Sequence, residues 1–347
     1  MKEENLTKKD VNEDCMKKHI LIITTGGTIA MKQNSPFGVV PNDEFVRQLK
    51  TFPMLAKIAT IDVHEFANIP SPFMTPMRML ELAQLVEVKS QSYDGIVITH
   101  GTDTLEETAY MLDLILRTTK PVIFTAAMRS GSELGLDGPR NIVGAVRVAG
   151  STRSSGKGVL VVMNDEIDAA RDVVKTDSGK TDTFVSPSCG LLGIVDPDRV
   201  IYYRSPYIHE KIFTDTIDEN VDLIKCVSGM DGRFVESSVA RGVKAIVIEA
   251  FGRGNIPLTM VPSVESALAE GVLIVITSRT HTGRVVAEYG YKGGGAYLKK
   301  AGCIMGGDLK GPKMRLKLMA LFGKFDDVER IREYLISEQN SLGKVRT

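Results

Sequence analysis

The strongest constraint on the fold is a series of short apolar runs: "HILIITT" (19–25), "IATIDVHEF" (58–66), "GIVITH" (95–100), "PVIFTAAM" (121–128), "GVLVVMN" (158–164), "KAIVIEA" (244–250) and "VLIVITS" (272–278). Each is rich in β-branched residues and too short for a buried helix. Read as runs without polar alternation, they predict parallel strands covered by helices on both faces. Between them, Leu105, Ala109, Leu112 and Leu116 recur at helical spacing, and "TLEE" (104–107) predicts a capping box at the start of that helix. Strands alternating with helices make an α/β protein.

At 347 residues the chain suits two compact units. The pattern loosens after "IYYRSPYIHEKIFTDTIDEN" (201–220), and a second strand–helix series begins near Val221. The expected organisation is a first domain over 19–206, a linker over 207–220 and a second domain over 221–347. No internal repeat or low-complexity tract is evident, and "YGYKGGGAYL" (289–298) reads as a Gly-rich loop. Residues 1–18 read as a flexible extension, with Met16 as a candidate start.

Charge narrows the partners. Lys plus Arg and Asp plus Glu both number 43, a formal net charge of zero, so no basic surface for nucleic acid or an anionic membrane is advertised. No run approaches the about 18 apolar residues of a membrane span, and residues 1–19 lack the apolar core of about 7 to 15 residues that a secretory signal needs. The expected setting is the cytoplasm, and the expected ligand is small. Cys15, Cys189, Cys226 and Cys303 are far apart with no C-x-x-C pair, which predicts free thiols.

Several chemistries drop out on spacing. "SGKT" (178–181) resembles the end of a phosphate-cradling loop, but Val174 stands where its first glycine belongs. There is no G-x-G-x-x-G, G-x-S-x-G or H-E-x-x-H, and His19, His64, His100, His209 and His281 are scattered, so neither a metal centre nor a Ser-His-Asp triad is expected.

What remains is a set of hydroxyls, a carboxylate and a lysine. In "ILIITTGGTIA" (20–30) a buried strand gives way to Gly26 and Gly27, whose backbone freedom presents Thr28 beside amide N–H groups. This suits a nucleophile with an oxyanion site, and taken alone it equally suits a strand-to-helix turn with a threonine cap. "HGTDT" (100–104) supplies Thr102 and Asp103, and "RDVVKT" (171–176) supplies Lys175; singly these read as a helix cap and an exposed lysine. Together they hold what an activated hydroxyl requires, a neighbouring proton acceptor and a charge to steady it. In an open parallel sheet both polar turns fall at the carboxyl ends of strands, where ligands bind.

In order and spacing, "TTGGTIA", "GIVITHGTDTLEETAY", "AAMR", "DGPRN", "GVLVVMNDEIDAARDVVKT" and "TSRTHTG" closely resemble the bacterial-type L-asparaginases, over roughly residues 18–340. The resemblance implies a larger amino-terminal domain with a flavodoxin-like parallel sheet, a smaller carboxyl-terminal α/β domain, and a homotetramer of intimate dimers with active sites between subunits. It implies hydrolysis of L-asparagine through a threonyl ester, with no metal or cofactor. Thr28 is then the nucleophile, and Thr102, Asp103 and Lys175 form the relay, Asp103 also binding the substrate ammonium. Gly27, Ser71 and Ala127 fall at substrate-binding positions, Ser71 at that of the α-carboxylate. Asn255 in "GRGN" and Glu288 are the candidates for reaching a neighbouring subunit's site. Two positions depart from the family: Phe37 stands where a lid tyrosine is usual, and Pro72 where Gln or Glu often holds the substrate ammonium. The rival readings are a glutaminase-asparaginase or related amidase, and an asparagine-sensing module without turnover.

Overall fold

The computed structural model describes residues 17–35, 38–41, 44–208 and 210–341. Cys15, Met16 and Phe37, with most of the proposed extension, lie outside the described residues. The first part of the chain forms β1 (His19–Gly26), a small hairpin of β2 (Met31–Ser35) and β3 (Gly38–Pro41), then β4 (Thr60–Ile69), β5 (Gly95–Thr99), β6 (Val122–Thr125), β7 (Val159–Met163) and β8 (Glu166–Ala169). A two-stranded ribbon of β9 (Val174–Lys175) and β10 (Phe184–Val185) follows, then β11 (Gly193–Val195) and β12 (Val200–Tyr202). The main sheet has eight strands in the order β12-β11-β8-β7-β6-β5-β1-β4.

Strands β4, β1, β5, β6 and β7 run parallel, and β8, β11 and β12 extend the sheet antiparallel. Alternation decides the two faces. Leu21, Ile23, Ile96 and Ile98 enter one core, which includes the helices Pro76–Lys89 and Leu105–Ile115, while Ile20, Ile22, Val97 and Ile123 enter another under the helix Gly138–Gly150. Burying each such side chain contributes about 1.5–3 kcal/mol, which is why these runs cannot sit at the surface.

A second sheet of four parallel strands, β13 (Val221–Lys225), β14 (Ala245–Ala250), β15 (Leu273–Ser278) and β16 (Ile304–Met305), forms the carboxyl-terminal part. The helix Gly311–Lys324 covers it and also packs on the Leu105–Ile115 helix of the first part. Its buried Met314, Leu316, Leu318, Met319 and Leu321 join the same core as Leu105 and Leu112, so the two sheets share apolar contacts through this helix.

Two sequence expectations need correction. The run at 58–66 is not covered on both faces: β4 is the outermost strand, and Thr60, Asp62 and Glu65 meet solvent at its edge. The capping box at "TLEE" does not form. Thr104 makes no side-chain cap; its hydroxyl donates instead to the Ser71 carbonyl at 2.8 Å, because the turn before the helix is tied to a neighbouring loop.

Among the described residues, no helix is long and apolar enough to cross a membrane, and no cluster of His, Cys, Asp and Glu could hold a metal ion.

Candidate active site

The site starts where β1 and β5 end side by side, with Thr24 in register with Thr99. Thr25 donates its hydroxyl to the Thr99 carbonyl at 3.1 Å, closing the two strand ends together. Beyond them the chain is glycine because nothing larger fits. Gly26 and Gly27 have φ of 102° and 82°, the left-handed region. A Cβ on Gly27 would lie 2.3 Å from the Gly101 Cα, and one on Gly101 would lie 2.7 Å from the Ser71 side chain. Two backbone turns and the Ser71 side chain are thereby pressed together, and the residues that follow the glycines, Thr28 and Thr102, are held on adjacent strand ends.

Thr28 opens a short 3-10 turn, Thr28–Ala30, and is half-buried. The Gly27 N–H is committed to the Ile69 carbonyl at 3.2 Å, so it is not an oxyanion donor. The Thr28 and Ile29 amides stand at the first positions of the turn, where helical N–H groups have no partner within the helix, whereas the Ala30 N–H donates to the Gly27 carbonyl at 2.9 Å. We expect Gly27→Ala to cost at least about 3 kcal/mol of stability, since it adds a backbone collision to an unfavourable φ. Chemical denaturation compared with Gly156→Ala checks this, because at Gly156 φ is 71° and an added Cβ meets nothing within 4 Å, so that variant carries the φ cost alone.

The Lys175 ammonium joins the second turn. Its Nζ donates to Thr102 Oγ1 at 3.0 Å and to Asp103 Oδ1 at 2.8 Å. Thr102 is buried, and the Lys175 and Asp103 side chains are 17% and 60% exposed, so the pair forms a wall with its carboxylate open to solvent. One Asp103 oxygen is occupied by lysine, and the other is available to a cationic ligand. Buried Ser71 accepts from the Asp103 N–H at 3.2 Å, which leaves its hydroxyl proton to donate. Serine, aspartate and the two strand ends thus share one rigid frame.

Sequence reasoning passed over two groups. Glu106, half of the "EE" read as part of a cap, accepts the backbone N–H of Lys175 at 3.0 Å. His100 is fully buried, its Nδ1 lies 2.8 Å from the Gly101 carbonyl, and burial pushes its imidazole down to about 4. A neutral ring donating from Nδ1 braces the glycine turn.

Other sequence candidates lie elsewhere. Ala127 is buried and lines, with Ile29, Met31 and Arg129, a cavity of about 330 Å³ next to the Thr28 turn. Pro72 is exposed in the 3-10 turn Ser71–Phe73. Asn255 and Glu288 belong to the carboxyl-terminal part: Asn255 Oδ1 accepts from the Gly295 N–H at 3.2 Å, and Glu288 lies 3.6 Å from Arg253. Neither is joined to Thr102, Asp103 or Lys175 by a bond within this chain among the described residues. In "SGKT", the Asp177 carboxylate takes the Gly179 and Lys180 amides at 2.8 and 3.0 Å, where a phosphate would need them.

Two family models match nearly the whole described chain: asparaginase, N-terminal, over residues 19–208, and glutaminase/asparaginase C-terminal domain over 220–335. The chain belongs to the asparaginase family. An L-asparaginase from Bacillus licheniformis is 37% identical over 320 residues, spanning 90% of this chain and 98% of its own. A glutaminase-asparaginase from Pseudomonas fluorescens biotype A is 32% identical over 339 residues, spanning 93% and 91%. The crystal structure of a probable cytoplasmic L-asparaginase from Campylobacter jejuni superposes with a TM-score of 0.82 at 33% identity, over 92% of this chain and 99% of that one. The asparaginase fold accounts for the two-sheet architecture above, and the convergent turns lie in its N-terminal domain.

Proposed function

We propose that this asparaginase-family protein is an amidohydrolase that converts L-asparagine and water to L-aspartate and ammonia through an ester on Thr28. The observation that carries the reading is the Lys175 Nζ bridging Thr102 and Asp103 at 3.0 and 2.8 Å, beside the Gly27–Gly101 contact that presents Thr28. Thr28 Oγ attacks the side-chain amide carbon, and its proton passes through Thr102 and Lys175 to the leaving nitrogen. The C–N bond breaks and ammonia departs. Water then attacks the ester carbon, its proton returns to Thr28 Oγ, and aspartate leaves. First-turn amides after Gly27 steady the oxyanion in both steps. Ser71 and the free oxygen of Asp103 bind the substrate's α-carboxylate and ammonium.

The enzyme works in the cytoplasm as a homotetramer of intimate dimers, with Asn255 and Glu288 completing a partner's site. Its two domains divide at residues 207–220. Supporting the dimeric site, Asn255 sits at the tight Phe251–Asn255 bridge beside exposed Gly252 and Arg253.

A second reading, mixed glutaminase-asparaginase activity, is favoured by the Pseudomonas fluorescens relative. Ammonia release by purified protein from asparagine and from glutamine separates the two: a kcat/KM at least about tenfold higher for asparagine supports the first. Release from neither amide would favour a sensing module and overturn both.

Pro72 sets the expected affinity. Without a carboxamide or carboxylate at this position, the ammonium loses an acceptor worth about 1.5–3 kcal/mol, roughly 10- to 150-fold in apparent affinity. The KM for asparagine should therefore be on the order of a millimolar, near the upper end of the common range. Pro72→Gln should lower it, and saturation kinetics check both values. A wild-type KM in the low micromolar range contradicts the expectation.

A further inference from the structure

Lys175 reaches the site on a weak support. Strand β9 has two residues and pairs only with β10, outside the main sheet. The turn before it is tied to the main sheet by the Ala170 N–H, which donates to the Val159 carbonyl at 3.1 Å, and further fixed points come from the carboxyl-terminal part. The 170–173 turn just before it offers three carbonyls, those of Ala170, Arg171 and Val173, and all three accept from Lys313 Nζ at 2.8, 3.0 and 2.6 Å. An ammonium has three donors, so this set is complete. Lys313 is 3% exposed and belongs to the Gly311–Lys324 helix of the carboxyl-terminal domain. A second tie crosses in the same place, from Arg171 to Asp308 at 2.8 Å.

A buried cation is a poor way merely to fill space, since its desolvation cost is recovered only with close partners. Lys313 has them on every side. Glu106, Glu107 and Asp113 face it from the Leu105–Ile115 helix and Asp172 from the turn, the Tyr110 ring lies 5.8 Å away, and the Arg171 guanidinium opposes it as a like charge. Burial pushes its ammonium down to about 8, and the Glu106 and Asp172 carboxylates pull the other way. Glu106 is the same residue whose carboxylate holds the Lys175 N–H at 3.0 Å.

We propose that Lys313, together with Glu106, is a positioning residue for Lys175: the carboxyl-terminal domain reaches into the amino-terminal one and fixes the strand that aims the relay lysine at Thr102 and Asp103. The inference rests on the reading of Lys175 as part of the relay. Ser71 and the Asp103 backbone are tied to each other, and Ser71 to Thr104, by bonds outside this clamp, and of the Asp103 carboxylate only the oxygen held by Lys175 depends on it. Loosening the clamp should therefore act on turnover more than on substrate binding.

The test compares Lys313→Met, Glu106→Ala, Lys175→Met and a control, Leu335→Ala, which removes a buried side chain in the last helix. All are assayed for kcat and KM with asparagine well below their melting temperatures. Lys313→Met and Glu106→Ala should each lower kcat about 10- to 100-fold, the cost of an ångström-scale misplacement, with KM changed by less than about threefold. The Leu335→Ala enzyme should keep kcat within about twofold while losing thermal stability. In a Lys175→Met background, Lys313→Met should cause no further loss, because the group it aims is already gone. Should Lys313→Met fail to fold, Glu106→Ala carries the same expectation. An active Lys175→Met protein would defeat the relay reading itself. A dead Lys175→Met beside folded Lys313→Met or Glu106→Ala proteins of wild-type kcat would leave that reading standing and overturn the positioning role.

Discussion

Thr28→Ala and Lys175→Met should each lower kcat by about a thousand- to a million-fold, the range seen when members of a catalytic unit are removed one at a time. Both should still unfold in one cooperative transition. Thr28 lies in a short turn and is half-buried, and Lys175 keeps 17% of its side chain exposed, so neither is a core packing residue. The double variant should be little worse than either single one, because in the proposed relay the hydroxyl and the amine act on the same proton. Steady-state ammonia release and denaturation curves on the three variants decide the matter. Losses that multiply, or a Thr28→Ala protein with substantial activity, would take Thr28 out of the role given to it here.

Activity should reappear when two dead proteins are mixed. If Asn255 completes a partner's site, subunits carrying Thr28→Ala and subunits carrying Asn255→Ala form, on exchange, mixed dimers with one intact site and one doubly defective site. Random pairing across a closed two-fold contact restores about a quarter of all sites. Native mass spectrometry verifies exchange, and ammonia release measures recovery. Exchange without recovery would mean that the site is self-contained or that Asn255 is dispensable. The second outcome is distinguishable, since Asn255→Ala alone would then be active.

Much of the fold was legible in the sequence because burial on both faces leaves a plain mark. The runs around Ile22, Val97 and Ile123 are apolar throughout since helices cover both sides of β1, β5 and β6. The mark fades at the margins. Strand β4 is an edge strand, and Asp62 and Glu65 in it meet water, so its apolar run does not mark cover on both faces. The antiparallel strands β8, β11 and β12 are three or four residues long, too short for any period to stand out.

The site shows the same division. Thr28, Thr102 and Asp103, proposed to bear the chemistry, stand out in the sequence as glycine-flanked hydroxyls and a carboxylate at strand ends. Lys175 gained meaning only in combination, since nothing in "RDVVKT" says that its amine lies 3.0 Å from a hydroxyl more than seventy positions earlier in the chain. Glu106 and Thr104 depart together from the sequence expectation. Local spacing favoured a capping box, while the folded chain spends the Thr104 hydroxyl on Ser71 and the Glu106 carboxylate on the Lys175 amide. Lys313 carries no local signal at all. A lysine in a helix reads as a surface residue until the carbonyls it meets, about 140 positions away, are brought beside it.

An ester on Thr28 would be trapped by quenching the enzyme in acid during turnover and weighing the intact protein by mass spectrometry. The expected product is an adduct with the mass of one aspartyl group, mapped by proteolysis to the peptide containing Thr28 and absent from the Thr28→Ala protein. An adduct on the Thr102 peptide instead, or one that persists in Thr28→Ala, would contradict it.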